Sequence, residues 1–519
     1  MELNSLGYVL FYALVFVLYF APFMRKPGRQ NLLVLVASYY FYASWDWRFL
    51  GLIVLTTLSS YVTGIAIERR RKKIFIVGNI VLNMGILCVF KYFDFFGENL
   101  TWFLRMFGWE VDWVFLNLLL PVGISFYTFQ AIGYTVDVWR KEVAPVHNPL
   151  LFATFIAYFP QLVAGPIEKA SRLLPQLAEA HGWSYPRAVM GLRQILWGMF
   201  KKVAVADPCG TLVTTYYAGD DIGGLRIYIA AVLFAIQIYC DFSGYCDIAQ
   251  GSARILGVEL MDNFKRPFFS RSFIEFWHRW HVSLMQWFTS YVYIPLGGSR
   301  KGTARKYLNI MVVFLLSGLW HGADWGFVIW GVYCGVVYVA EAIMQVPGYK
   351  SSGVPSFNDI PELFLTFSLF VIGLVFFRLN DIETAFMWNV KYVIPISIAL
   401  YLMIRLTFVV ISRITSTYIV SAERLFTFKN VMYAIVFVSV VAAIAFGGRF
   451  WFHLYGLLAG VVFACEWRTR RLPVTIAPFP KNRPVRFVVY FMFYMLILAY
   501  GLFRLPPLYD DTQFIYFQF

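Results

Sequence analysis

Apolar runs long enough to cross a bilayer recur from one end of this chain to the other, and no soluble stretch of ordinary composition separates them. A transmembrane helix needs roughly 17–25 predominantly apolar residues. Runs of that order fall at 5–23, 31–45, 48–66, 74–92, 113–134, 188–206, 225–243, 306–320, 323–342, 361–378, 389–411, 430–447, 451–466 and 486–503. Charged residues make up 14% of the 519 positions, against about 25% in soluble proteins. Most of the chain therefore cannot face water. The expectation is an all-α polytopic membrane protein built as one unit over 1–519, with 11 to 15 spans. The segment 149–164 is apolar but short and ends in Pro160 and Gly165-Pro166. It reads as a re-entrant helix, a form tolerated where protein or a cavity surrounds it.

The net charge of +15 does not signal nucleic acid, because the basic residues sit in short clusters between apolar runs. A nucleic-acid protein would gather them on one soluble face. Arg25–Arg29, Arg69–Lys73, Arg300–Lys306 and Arg468–Arg471 instead follow the positive-inside pattern. They place both termini on the outer side of the membrane, with an even number of spans between. The first apolar run lacks a basic leader and an A-x-A site, so it reads as a retained span. The six cysteines have no CxxC spacing and read as small buried hydrophobes.

The stretch 244–305 is hydrophobic yet carries many charges, among them Asp247, Arg254, Glu259, Asp262, Arg271 and Glu275. A charge at the bilayer centre costs about 2.5–3.5 kcal/mol, so a wet funnel or interfacial helices suit this stretch best.

Few groups could carry chemistry. His321 stands at the end of an apolar span in Ser317-Gly318-Leu319-Trp320-His321-Gly322. A histidine can pass protons either way near neutrality, and flanking glycines admit a close approach. A plain core histidine bonded to a carbonyl fits the same spacing. His278 and His281 would share a helix face and could hold a metal; packing with Trp277 and Trp280 at headgroup depth is the plainer alternative. Asp241-Phe242-Ser243-Gly244-Tyr245-Cys246-Asp247 suggests a polar knot between helices, or a nucleophile in Ser243. The tail Phe514-Ile515-Tyr516-Phe517-Gln518-Phe519 reads from composition as an aromatic anchor.

Several stretches together carry a further signal. They are Ser38-Tyr39-Tyr40-Phe41-Tyr42, Pro121-Val122-Gly123-Ile124-Ser125-Phe126-Tyr127-Thr128-Phe129-Gln130 and Gln161-Leu162-Val163-Ala164-Gly165-Pro166-Ile167. With them go Asp241-Phe242-Ser243-Gly244-Tyr245, Phe276-Trp277-His278-Arg279-Trp280-His281-Val282-Ser283-Leu284, Tyr293-Ile294-Pro295-Leu296-Gly297-Gly298 and Gly318-Leu319-Trp320-His321-Gly322-Ala323. In this order, over most of the chain, they resemble the membrane-bound O-acyltransferase (MBOAT) superfamily, and within it the bacterial alginate O-acetyltransferase (AlgI-like) group. Val34, where leucine is usual, and His278, where arginine is commoner, depart from the pattern.

The resemblance implies an MBOAT-type helical bundle with a central tunnel and interfacial or re-entrant helices, its catalytic core at about 113–345. The C-terminal spans and external tail then occupy about 361–519. His321 would be the essential catalytic histidine deep in the tunnel, and His281 the second functional histidine. Phe514-x-Tyr516-x-x-Phe519 looks like a motif whose tyrosine carries the acyl group. The implied acyl donor is acetyl-CoA or an acyl-carrier thioester, used as cosubstrate, with no bound cofactor and no metal. The implied partners are membrane lipid, an extracytoplasmic acetyltransferase and a cytoplasmic acyl-carrier protein, at the bacterial inner membrane. The implied activity is acetyl transfer to an exopolysaccharide such as alginate. D-alanyl or acetyl transfer to teichoic acid, peptidoglycan or cellulose stands as the alternative. A transporter would call for internal repeats around a midplane site, and the chain shows none.

Overall fold

The computed structural model describes residues 3–116, 118–163, 165–218, 223–345, 354–379, 381–418, 450–470, 479–480 and 482–501. Among them there is no strand. The first helices are α1 (Leu6–Tyr19), α2 (Pro27–Ala43), α3 (Leu50–Arg70), α4 (Lys73–Arg105) and α5 (Ile124–Arg140). Short helices α6 (Pro149–Ala157), α7 (Phe159–Leu162) and α8 (Ala170–Leu177) follow. Next come α9 (Tyr185–Met199), a π-helical stretch Phe200–Ala206, α10 (Asp207–Tyr217) and the long α11 (Gly224–Ile255). The short α12 (Phe273–Trp277) and α13 (Val282–Phe288) precede α14 (Thr303–His321), α15 (Trp325–Met344) and α16 (Ile360–Arg378). The last are α17 (Ile382–Trp388), α18 (Ile394–Tyr418), α19 (Phe450–Arg468) and α20 (Arg483–Gly501).

Among the described residues, six stretches are long and apolar enough to cross a membrane: 47–70, 73–105, 224–255, 325–344, 360–378 and 382–410. The chain is thus a helical multi-pass membrane protein, as its composition required. The run expected at 430–447 and the tail bearing Tyr516 lie outside the described residues.

Several boundaries differ from the sequence expectation; the run expected over 74–92, for one, continues as helix to Arg105. The span expected over 113–134 is helical only from Ile124. Gly123 sits in the left-handed region at φ 73°, and a Cβ there would lie 2.5 Å from the Leu162 carbonyl oxygen, so the helix starts just after it. The run at 5–23 forms a helix of only 14 residues. Finally, the span expected to end at 243 continues unbroken to Ile255, because its charges are paired within the protein. Lys201 Nζ meets Asp247 Oδ2 at 2.6 Å and donates to Ser243 Oγ at 2.8 Å. Lys202 Nζ meets Asp207 and Asp241, each at 2.7 Å. The Asp241–Asp247 segment is therefore the polar knot between α9, α10 and α11. Removing one partner of such a pair leaves an uncompensated buried charge.

Small residues let the knot form. On antiparallel α9 and α11, a Cβ on Gly191 would meet the Gly251 carbonyl at 2.6 Å, and one on Gly198 the Gly244 carbonyl at 2.5 Å. The reciprocal distances are 2.6 and 2.9 Å. Close backbone approach of this kind drives helix association where lipid supplies no hydrophobic push.

The segment 149–162 is a helix broken at Tyr158 and enclosed by protein, with Phe152, Phe155 and Phe159 fully buried. Its interrupted backbone finds side-chain partners, as non-helical backbone at membrane depth must. Gln130 Nε2 donates to the Phe155 carbonyl at 2.7 Å, and the Phe159 N–H donates to Ser38 Oγ at 3.1 Å.

The basic loops share one face of the bundle. Arg71 reaches the Trp139 carbonyl; Arg140 and Lys169 both reach Ser290; Gln30 reaches the His181 carbonyl. Leaving that face, α4 climbs ~27 Å from Lys73 to Lys91 at 1.5 Å per residue, and α14 rises by the same amount from Thr303 to His321. The far face is therefore where α14 ends.

Replacing Gly251 with leucine should force α9 and α11 apart at a cost of about 1–3 kcal/mol or more. The expected outcome is a lowered melting temperature in detergent and little folded protein. An unshifted melting curve for Gly251→Leu would contradict the packing described.

Candidate active site

His321 is the last residue of α14. The chain leaves the helix at Gly322 in extended conformation, where a Cβ would lie 2.1 Å from the Phe327 ring. Only a glycine lets the connection fold back so tightly, and Asp324 then caps α15 by accepting from the Gly326 N–H. The imidazole is buried against Trp320, Trp330 and Phe377, at centroid distances of 4.9, 5.1 and 5.1 Å. It lines a cavity of about 250 Å³ shared with Trp45, Asp46, Phe49, Lys91 and Phe126. Trp45 and Asp46 belong to the connection between α2 and α3, so this cavity belongs to the far face.

The open carbonyls at the end of α14 are bound from α4. Lys91 Nζ donates to the carbonyls of Trp320 at 2.6 Å and His321 at 2.8 Å. Tyr92 donates its hydroxyl to the Leu319 carbonyl at 2.5 Å.

His281 is held differently. It does not share a helix with His278, because α12 ends at Trp277 and His281 takes the left-handed conformation, φ 45°. His278 is exposed and bonded to the Ile274 carbonyl, whereas His281 is 1% exposed. The i, i+3 metal face considered from the sequence is therefore not formed. A non-glycine residue in this region is strained, and such strain concentrates at functional sites.

The His281 ring packs on Phe242 at 4.8 Å and Trp320 at 5.6 Å. Trp320 thus touches both histidines. Nδ1 of His281 lies 3.1 Å from Asn263 Oδ1, which also accepts from the Ser283 N–H at 3.2 Å and hydroxyl at 2.9 Å. This bonding pattern assigns the amide oxygen to that position, so Nδ1 of His281 is the donor and Nε2 is the nitrogen able to take a proton.

Asn263 also borders a second, polar cavity of about 40 Å³ with Lys201, Asp247, Arg266 and Thr469. Asp262 connects it with a third space of about 210 Å³ bearing Lys169, Arg172 and Lys265. Both lie toward the basic face. The predicted histidines thus stand between two sets of cavities, one toward each face.

Neither Asn263 nor Lys91 stood out in the sequence. The lysine could have been found, since an ammonium at the end of an apolar run is costly and seldom idle. Asn263 could not, since its partner is 18 residues away across a loop.

The loop carrying Asn263 is fastened by Glu168, in the connection between α7 and α8, which accepts from the Met261 N–H. Burial pushes the Glu168 carboxyl up to about 7.

The profile of the MBOAT, membrane-bound O-acyltransferase family matches residues 91–346. The chain is 35% identical over 382 residues to a protein of Pseudomonas aeruginosa named probable alginate O-acetylase AlgI, covering 72% of each. It is 31% identical over 403 residues to the peptidoglycan O-acetyltransferase of Helicobacter pylori, covering 70% of this chain and 73% of that one. Similarity to the teichoic acid D-alanyltransferase of Bacillus subtilis is 27% over 284 residues, 50% of this chain and 69% of the other. The fold and site define a multi-pass helical protein with a histidine-lined interior. The chain belongs to the membrane-bound O-acyltransferase family, and it is an O-acyltransferase.

Because the raised Glu168 carboxyl holds its proton in the fold, its stabilisation is complete below the unfolded value near 4.5 and is lost as pH rises through about 7. The melting temperature in detergent should therefore fall across that window. In Glu168→Gln the fall should be shallower; an identical slope in both proteins would refute the assignment.

Proposed function

We propose that this enzyme takes an acetyl group from a thioester on the basic side of the bacterial cytoplasmic membrane and delivers it to a polysaccharide on the opposite side, alginate or a similar exopolysaccharide. One observation carries this: His321 lines the far-face cavity while His281 is tied through Asn263 to the polar cavities of the basic face. A histidine pair with a cavity toward each face suits transfer across a membrane. The basic clusters favour the cytoplasm for the donor side. The names of the relatives, an alginate O-acetylase and a peptidoglycan O-acetyltransferase, favour acetyl transfer to an external polymer.

The donor, acetyl-CoA or the thioester of an acyl-carrier protein, presents its carbonyl between the histidines. An acceptor hydroxyl attacks that carbon, His321 takes the hydroxyl proton, the C–S bond breaks, and the thiolate leaves with the proton returned by the imidazolium. Such general-base help is worth about 10²–10⁴-fold. His281, its tautomer set by Asn263, orients the donor or polarises its carbonyl. The acceptor is the phenol of Tyr516 in the C-terminal motif. A phenol of pKa about 10 needs a base to attack at neutral pH. The acetyl-tyrosine ester then passes its group to an extracytoplasmic acetyltransferase acting on the polymer.

Incubation of the purified protein with isotope-labelled acetyl donor, followed by tandem mass spectrometry, tests the relay. Label should appear on the C-terminal peptide of wild type and be absent from His321→Ala and Tyr516→Phe. If polymer acetylation depends on His321 but wild type never carries label, transfer is direct and Tyr516 is an anchor.

A further inference from the structure

A lysine inside an apolar helix is expensive, and Lys91 uses its charge in an unusual place. It sits on α4, the longest described helix, which is pinned lower down by Asn79, itself bonded to Ser60 of α3 and Thr135 of α5. From this rigid support the ammonium reaches across to another helix and binds its last two carbonyls, at 2.6 and 2.8 Å. The second of those carbonyls belongs to His321 itself. Tyr92 binds the carbonyl two residues earlier. The carbonyls of Leu319, Trp320 and His321 are therefore all held by two adjacent side chains.

We propose that Lys91, assisted by Tyr92, is the positioning residue for His321. The carbonyl and the imidazole of His321 spring from the same Cα, so clamping the one fixes the origin of the other. The rings of Trp320, Trp330 and Phe377 then hold the side chain. The clamp is needed because the next residue is Gly322, whose backbone freedom offers the last helical turn a ready route to unwind. A cation is the fitting clamp, since the helix C-terminus carries about half a negative charge and an ammonium brings three donors to it. The inference rests on His321 being the proton-transferring base proposed above.

The test uses full-length protein in detergent, with variants Lys91→Arg, Lys91→Met and Tyr92→Phe. Acetyl transfer from labelled acetyl-CoA gives kcat and KM. In parallel, diethyl pyrocarbonate modification of each histidine is timed by mass spectrometry, with the exposed His278 as internal reference. A displaced catalytic group costs about 100-fold in rate, so Lys91→Met should lose about that much in kcat, with KM for acetyl-CoA changed less than about threefold. Its His321 modification rate should shift several-fold relative to His278. Lys91→Arg should recover at least tenfold of the kcat loss, and Tyr92→Phe should fall between. If Lys91→Met does not fold, Tyr92→Phe and Lys91→Arg decide the matter by the same readouts. Unchanged kcat and unchanged His321 modification in the folded variants would overturn the proposal. If wild type transfers nothing from acetyl-CoA, the functional reading loses that donor, and the His321 modification rates still decide the positioning role.

Discussion

The carbonyl end of α14 is the point on which the site depends. A helix leaves its last carbonyls open, and in hydrocarbon no water can meet them. Here the open groups are met by the ammonium of Lys91 and the hydroxyl of Tyr92, both from α4. That arrangement lets α14 stop at His321 with its last three carbonyls bound. It also fixes where the far-face cavity has its floor. The tight return into α15, with Gly322 against Phe327 and Gly318 against the Phe327 carbonyl, depends on α14 stopping there.

The second histidine is positioned by a loop rather than by a helix end. His281 accepts a left-handed backbone, and its position is over-determined by Asn263, Phe242 and Trp320. Asn263 is in turn held by a loop that Glu168 and Gln250 fasten at Met261. The two imidazoles thus stand on different backbone supports, and both pack against the Trp320 ring.

Around the site, charge and small residues do complementary work. The lysines 201 and 202 and their aspartate partners would be unaffordable in lipid singly, yet the glycine contacts of α9 with α11 bring them within bonding distance. The π-helical turn at Phe200–Ala206 turns both lysines inward together. The result is a polar core beside the basic-face cavities, bordered by the Trp197 and Tyr239 rings.

Much of this was legible in the residues. The multi-pass helical character, the short enclosed helix beginning at 149, the basic clusters and the candidacy of His321 follow from local composition, because lipid imposes its rules on each segment separately. The motif at Asp241–Asp247 announced a knot but not its partners. What tertiary structure alone decided is which distant groups meet. Lys91 and His321 are 230 residues apart, and nothing in the 74–92 run says which helix its lysine will cap. Asn263 and His281 pair through a loop with no periodicity to read. The start of the helix at Ile124 rather than at 113 likewise hung on Gly123 meeting Leu162. Segment chemistry is set by the solvent around each helix, whereas the site is set by packing between helices, and packing is not written in any one of them.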